Sequence, residues 1–227
     1  VFERTYRINF SGEIDRSPVN MMLDTSTQGR AFAGFGGNFR LQDPKNDPQV
    51  IDYCLKNLRV AWGRVEMPWI SWQPDSTVDP AATDTAMLNV RVKRAMEMAQ
   101  RLSRMNIPVI VTAWFPPAWA VEGKLSMGRS PEGIWGNPLK ASSMNKIYQS
   151  ITDYIIYLKA HYGVEAADFS FNESDLGINV RQTAEEHDEL IKGLGAYFAS
   201  HGLTTKLLLG DNSDATTYNF IYPAMND

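Results

Sequence analysis

In this 227-residue chain, chemistry is concentrated at Asn172 and Glu173, which close the run Asp168-Phe169-Ser170-Phe171 and open onto Ser174. An alternating strand that stops abruptly in an amide beside a carboxylate sets a hydrogen-bonding group next to a proton donor. If the strand is one stave of a parallel barrel, both residues sit at its C-terminal mouth, where such barrels build active sites. A glutamate held there, partly desolvated, keeps its proton near neutral pH and acts as a general acid. The plainer alternative is a polar strand exit of no chemical consequence. The elements that would have to position Glu173 decide between the two.

Those elements alternate along the chain. Ala31–Phe39 is strand-like but carries three glycines, which predicts close backbone approach or a bulge. Asp47-Pro48 predicts a helix start with an N-cap acceptor and proline in the first turn. Val50, Ile51, Cys54, Leu55 and Leu58 form its apolar face. Leu58–Glu66 reads as a second strand, leaving through Arg64 and Glu66 into the Trp- and Pro-rich loop 67–74. Helical spacing runs from about Thr85 to Asn106 and is stopped by Pro108. Ile107–Ala113 is apolar and β-branched throughout, as in strands buried on both faces, and exits at Trp114. Ile147 to Tyr162 is a third helix closed by Gly163. Thr183-Ala184-Glu185-Glu186 is a capping box opening a fourth. Lys206–Gly210 is a fifth strand, leaving through Asp211 and Asn212. The long stretch 115–141 spends two tryptophans and several prolines on a connection, which suggests function.

The bulk composition excludes several classes. At 44% hydrophobic and 21% charged residues the chain is an ordinary globular protein. A net charge of −4 gives no basic face for nucleic acid. The one cysteine, Cys54, allows no internal disulfide and reads as a small core residue. No apolar run approaches a membrane span. No GxGxxG or GxxxxGK[ST] fingerprint is present, so no nucleotide loop is expected. His161, His187 and His201 fall on or near helices, away from the strand exits. They are expected to face solvent, have no metal-ligand spacing, and imply no catalytic metal or other cofactor.

A β-α-β-α-β-α-β-α-β order predicts a parallel sheet covered by helices. Polar or aromatic residues close strand after strand, at Arg64/Glu66, Trp114, Asn172/Glu173 and Asp211/Asn212, which favours a (β/α)₈ TIM barrel over an open sheet. A full barrel needs about 250 residues, so residues 1–227 are expected to be the first five βα units of a longer polypeptide. Residues 1–28, with strand-like Thr5–Phe10 and Asn20–Asp24, are expected to belong to a small β side domain, and 29–227 to the barrel.

The ordered set Phe32-Ala33-Gly34-Phe35-Gly36-Gly37, Arg64, Trp114-Phe115-Pro116-Pro117-Ala118-Trp119 and Asn172-Glu173 resembles glycoside hydrolase family 30, over about residues 19–227. That resemblance implies a barrel beside a β-sandwich built from both chain ends. It implies a secreted, periplasmic or surface-located enzyme, endo-acting and monomeric, that hydrolyses β-linked polysaccharide such as β-1,6-galactan, β-1,6-glucan or glucuronoxylan. Glu173 would be the acid/base, and Asn172 would bond the sugar 2-hydroxyl. Arg64 would be the cation holding a nucleophilic carboxylate ionised, unless it is a surface ion pair. Trp114, Trp119 and Trp135 would offer flat faces to sugar rings or pack the barrel rim. The sequence departs from the family pattern in two ways: Ser174 stands where proline often follows the Asn-Glu pair, and the nucleophile expected after a seventh strand is not reached. Two competing readings are a non-catalytic carbohydrate-binding barrel and an open-sheet enzyme with other chemistry.

Overall fold

A computed structural model describes residues 11–13, 16–20, 22, 26–27, 29, 31–126, 128–129, 135–177, 179–213 and 215–226. The chain divides into two compact units, Val1–Phe32 and Ala33–Asp227. In the first, the described residues form no helix or strand, and the expected strands at Thr5–Phe10 and over most of Asn20–Asp24 lie outside the described residues.

In the second unit five strands form one sheet: β1 (Gly36–Asn38), β2 (Trp62–Pro68), β3 (Val109–Trp114), β4 (Asp168–Phe171) and β5 (Lys206–Leu207). They pair in sequence order and all in parallel. Between them run four long helices: α1 (Asp47–Asn57), α2 (Val90–Arg104), α3 (Met144–Tyr162) and α4 (Ala184–Ser200). An open doubly wound sheet reverses its strand order at a switch point. No reversal occurs here, and successive right-handed crossovers in one direction place every helix on the same side. Such a sheet has to curl around its uncovered face.

The side chains agree. Val65, Met67, Val111, Ala113, Phe169 and Phe171 are all buried in one core with Met96, Leu102, Ile151, Leu158, Leu194 and Phe198 of the helices. The alternate positions, Arg64, Glu66, Thr112, Ser170 and Asn172, share the opposite face, because parallel register aligns Glu66 with Thr112 and Thr112 with Ser170. The β3 strand is therefore not apolar on both sides, as its composition predicts: Thr112 is fully buried but sits among polar groups.

Helix boundaries follow local chemistry. The left-handed Gly163 (φ 70°) ends α3, and its N–H donates to the Lys159 carbonyl at 3.1 Å. The box at the start of α4 is closed from both sides: Glu186 N–H donates to Thr183 Oγ1 at 3.2 Å and Thr183 N–H to Glu186 Oε2 at 2.8 Å. Helix α2 starts later than its apolar spacing predicts. Asp84 caps a separate 3₁₀ turn at Thr85–Met87, and Asn89 then caps the helix proper by accepting from Arg91 N–H at 2.9 Å. Helix α1 does start at Asp47, but Asp47 is inside the helix and its carboxylate accepts from Asp43 N–H; only Ile51 and Leu55 are buried, while Val50 and Leu58 are exposed.

The edge strands are shorter than the sequence predicts. β1 keeps only Gly36–Asn38 of the run Ala31–Phe39, and β5 only Lys206–Leu207 of Lys206–Gly210. Among the described residues each has one strand neighbour, so fewer ladder bonds hold it. Bare backbone is needed where β1 meets β2: a Cβ on Gly34 (φ 100°) would lie 2.4 Å from Ala61 Cβ, and one on Gly36 would lie 2.8 Å from the Trp62 carbonyl oxygen. The 115–141 connection is partly ordered by pairing, with Asn137–Pro138 lying parallel to Val180–Arg181.

Candidate active site

The inner face of the sheet gathers its polar groups around one guanidinium. Arg64, from β2, donates from Nε to Thr112 Oγ1 on β3 at 2.9 Å and from Nη2 to Asn172 Oδ1 after β4 at 2.9 Å. The same Nη2 meets Asp211 Oδ2, beyond β5, at 2.5 Å. Ser170 Oγ completes the cluster, donating to Asp211 Oδ2 and lying 2.8 Å from Thr112 Oγ1. Four consecutive staves are thus tied on the inner face by side chains spread over 147 positions of sequence. Both side chains of the Arg64–Asp211 pair are only 21% exposed, so this is an inner-face contact rather than a surface ion pair.

Asn172 is buried, and its amide oxygen is fixed by Arg64. Glu173, directly after it, is half-buried and holds a left-handed backbone with φ 45°. Its N–H donates to the Asp211 carbonyl at 3.0 Å, and its own carbonyl accepts from Leu176 and Gly177 N–H. The strand therefore breaks sharply at Glu173. Among the described residues the other non-glycine residues of positive φ are Asn106, Phe115 and Asn179. Phe115 follows β3, and its N–H donates to Asn179 Oδ1 at 3.1 Å. Of these, Phe115 and Glu173 are the two that are not asparagine, and they stand at the exits of β3 and β4, the kind of place where backbone strain marks function.

Glu66 faces the same end of the barrel but is already matched. It is buried, and its two carboxylate oxygens accept from Arg40 Nε at 2.7 Å and Arg91 Nη2 at 2.8 Å. Its backbone carbonyl accepts from the buried Tyr154 hydroxyl at 3.4 Å, and burial, then the nearby Glu66 charge, pushes the Tyr154 pKa well above its ordinary value.

The tryptophans differ in burial. Trp114 is buried, with the Arg64 guanidinium 4.2 Å and the Arg40 guanidinium 4.7 Å from its ring centre. Trp119 is half-buried. It donates its indole N–H to the Gln73 carbonyl at 2.8 Å and meets Trp69 edge-on at 6.0 Å. Trp135 is half-buried near Gly177, where a Cβ would lie 2.4 Å from the Trp135 carbonyl oxygen.

One expectation is overturned. His161 and His201 are exposed, but His187 is buried. It lies in the first turn of α4 on the face turned to the sheet. One ring nitrogen is 2.9 Å from the Leu209 carbonyl oxygen, the other is 3.1 Å from Gln182 Oε1, and the ring packs on Phe220. Burial lowers its pKa, against the opposing pull of the Leu209 carbonyl, Asp175 and Asp188. Asp211 was visible in the sequence as a strand exit but not as the partner of Arg64. Thr112 and Ser170 carried no signal beyond being polar residues inside apolar strands.

No protein-family model and no curated protein sequence matches the chain. Solved structures do. The chain is similar to the catalytic domain of a glycoside hydrolase family 30 xylanase C from Talaromyces cellulolyticus, with TM-score 0.64 and 15% identity over 88% of this chain and 51% of that one. It is similar to a family 30 subfamily 8 xylanase from Clostridium acetobutylicum, with TM-score 0.61 and 19% identity over 86% of this chain and 49% of that one. It is also similar to an endo-β1,6-glucanase, with TM-score 0.59 and 18% identity over 89% of this chain and 52% of that one. The chain spans about half the length of these neighbours. It has the fold of the family 30 barrel, and its five-stranded sheet is a run of consecutive staves of a (β/α)₈ barrel.

Proposed function

We propose that the polypeptide carrying this chain is a retaining, endo-acting glycoside hydrolase for β-linked polysaccharide, with Glu173 as its general acid/base. The observation that carries this reading is the Arg64 hub, which fixes Asn172 immediately before Glu173 at the exit of the fourth stave. In retaining hydrolysis two carboxyl groups stand about 5–5.5 Å apart across the scissile bond. Glu173 protonates the departing glycosidic oxygen while a second carboxylate attacks the anomeric carbon. Glu173 then takes a proton from the water that releases the sugar. The second carboxylate would come from a glutamate beyond residue 227, on a later stave, because Glu66 is held by two arginines and Glu122 is exposed in a loop. Asn172 would bond the sugar 2-hydroxyl with the amide nitrogen that Arg64 leaves available. Arg64, already joined to Asp211, would add positive potential near the nucleophile and hold it ionised.

The substrate reading is a β-1,6-galactan, β-1,6-glucan or xylan, met outside the cell by a secreted or surface-located monomer. Trp114 and Trp119 would form walls behind the sugar rather than open platforms. Residues 1–28 would contribute to a β-sandwich beside the barrel. Among the described residues, no helix is long and apolar enough to cross a membrane.

The test is hydrolysis of a β-glycan panel by the full-length protein, with product sizing to separate endo from exo attack. Glu173→Gln should lower kcat on unactivated glycans by about 10³-fold, within the usual range for a lost general acid, and leave the circular dichroism spectrum unchanged. Undiminished hydrolysis by that variant would remove Glu173 from the mechanism.

A further inference from the structure

The loop leaving β1 and the first turns of α2 enclose a cleft of about 490 Å³, lined among others by Phe39, Arg40, Glu66, Arg91 and Arg94. Glu66 is its one acid. Three arginines against one glutamate leave the lining with a net charge of +2. A guanidinium carries five N–H donors, and Arg40 and Arg91 each use one on Glu66. Arg94 is exposed and, among the described residues, is in no ion pair. The two paired arginines are also braced from behind: Arg40 lies 5.1 Å from the Phe115 ring centre and Arg91 lies 4.8 Å from it. Their planes are held in place before any ligand arrives, so little side-chain freedom remains to be lost on binding. A clamp that served only to neutralise buried Glu66 would need neither Arg94 nor the open volume.

We propose that this cleft binds an oxyanion: a carboxylate, sulfate or phosphate group received by the unused N–H donors of Arg40, Arg91 and Arg94. Guanidinium forks match such groups two bonds at a time. The cleft also adjoins the inner-face cluster, since Arg40 and Arg64 lie over the same Trp114 ring. The anion could therefore be free in solution or carried as a substituent on a sugar chain threading the mouth. The site does not involve Glu173, and its occupancy is read by binding rather than turnover, so it stands or falls separately from the proposed hydrolase activity.

Isothermal titration of the full-length protein at constant ionic strength tests this, using sodium sulfate, a β-linked disaccharide bearing one carboxylate, and the neutral parent disaccharide. Saturable binding of at least one anionic probe is expected, weakened by about tenfold in Arg94→Gln, the loss typical of one charge-assisted contact. Arg104→Gln, at the far end of α2, should titrate as the wild type does. Tighter binding of the acidic disaccharide than of sulfate assigns the anion to a glycan; equal or weaker binding assigns it to a free ion. No saturable binding of either anion, or the same affinity in Arg94→Gln as in the wild type, overturns the proposal. Arg94 is exposed and, among the described residues, in no ion pair, so its replacement should leave the fold intact.

Discussion

The two faces of the barrel sheet use the same strands for opposite purposes. Toward the helices, β2 to β4 present Val65, Met67, Val111, Ala113, Phe169 and Phe171, all buried in one apolar core. Toward the axis, the residues between them are Arg64, Glu66, Thr112, Ser170 and Asn172, tied to each other or to Arg40, Arg91 and Asp211. The first face is held by area removed from water, which tolerates apolar exchange of similar volume. The second is held by directional bonds, in which each lost partner strands another polar group. A period-two pattern lets one backbone serve both, and it means that a residue's neighbours in sequence say little about its task.

This contrast can be broken from either side. On the helix face, Phe169→Ala should cost roughly 3–5 kcal/mol, the usual range for emptying a core aromatic site, read as a lower midpoint in urea unfolding. The ring packs against both Phe171 and Phe198, so neighbours have little room to collapse into the space. On the axial face, Arg64→Met keeps the bulk and removes the cation. Asp211 and the Asn172 amide oxygen lose their shared donor, and a loss of about 2 kcal/mol is expected, reduced from the cost of a fully buried pair because both side chains retain some contact with water. If Arg64→Met is as stable as the wild type, the axial cluster is not a structural tie.

The smallest effect concerns pH. Burial depresses the pKa of His187 below its ordinary value of 6.5. Its contribution to stability is therefore complete above about pH 6.5 and is lost as pH falls through the depressed folded-state value, because the unfolded chain takes up the proton first. His187→Gln should flatten that part of the stability profile below pH 6.5, measured by urea unfolding at a series of pH values. An unchanged slope would show that other groups carry it.

What could be read in advance follows the reach of each interaction. Gly163 and the Thr183–Glu186 box act within one helical turn, and both helix ends fall where the local pattern puts them. The strand order follows from the alternation of elements, and Glu173 was marked by the break from apolar alternation to an amide and an acid. The solvent exposure expected of His187 fails because four residues of helix decide which way a side chain faces, and its own neighbours are charged. The Arg64–Asp211 contact joins residues 147 positions apart and had no local signature. The Arg40–Glu66–Arg91 arrangement was invisible for the same reason: it exists only once β1, β2 and α2 are side by side.

The left-handed backbone at Glu173 would set folding against the proposed chemistry over a single codon. A side chain with a Cβ pays to sit at φ 45°, most of all a β-branched one, whereas glycine pays nothing and asparagine little. In a saturation library at position 173 sorted only for soluble expression, glycine and asparagine should be enriched over glutamate, and valine and isoleucine depleted. If Glu173 is the acid/base proposed above, a second sort of the full-length protein for glycan cleavage should reverse the ranking and return glutamate alone.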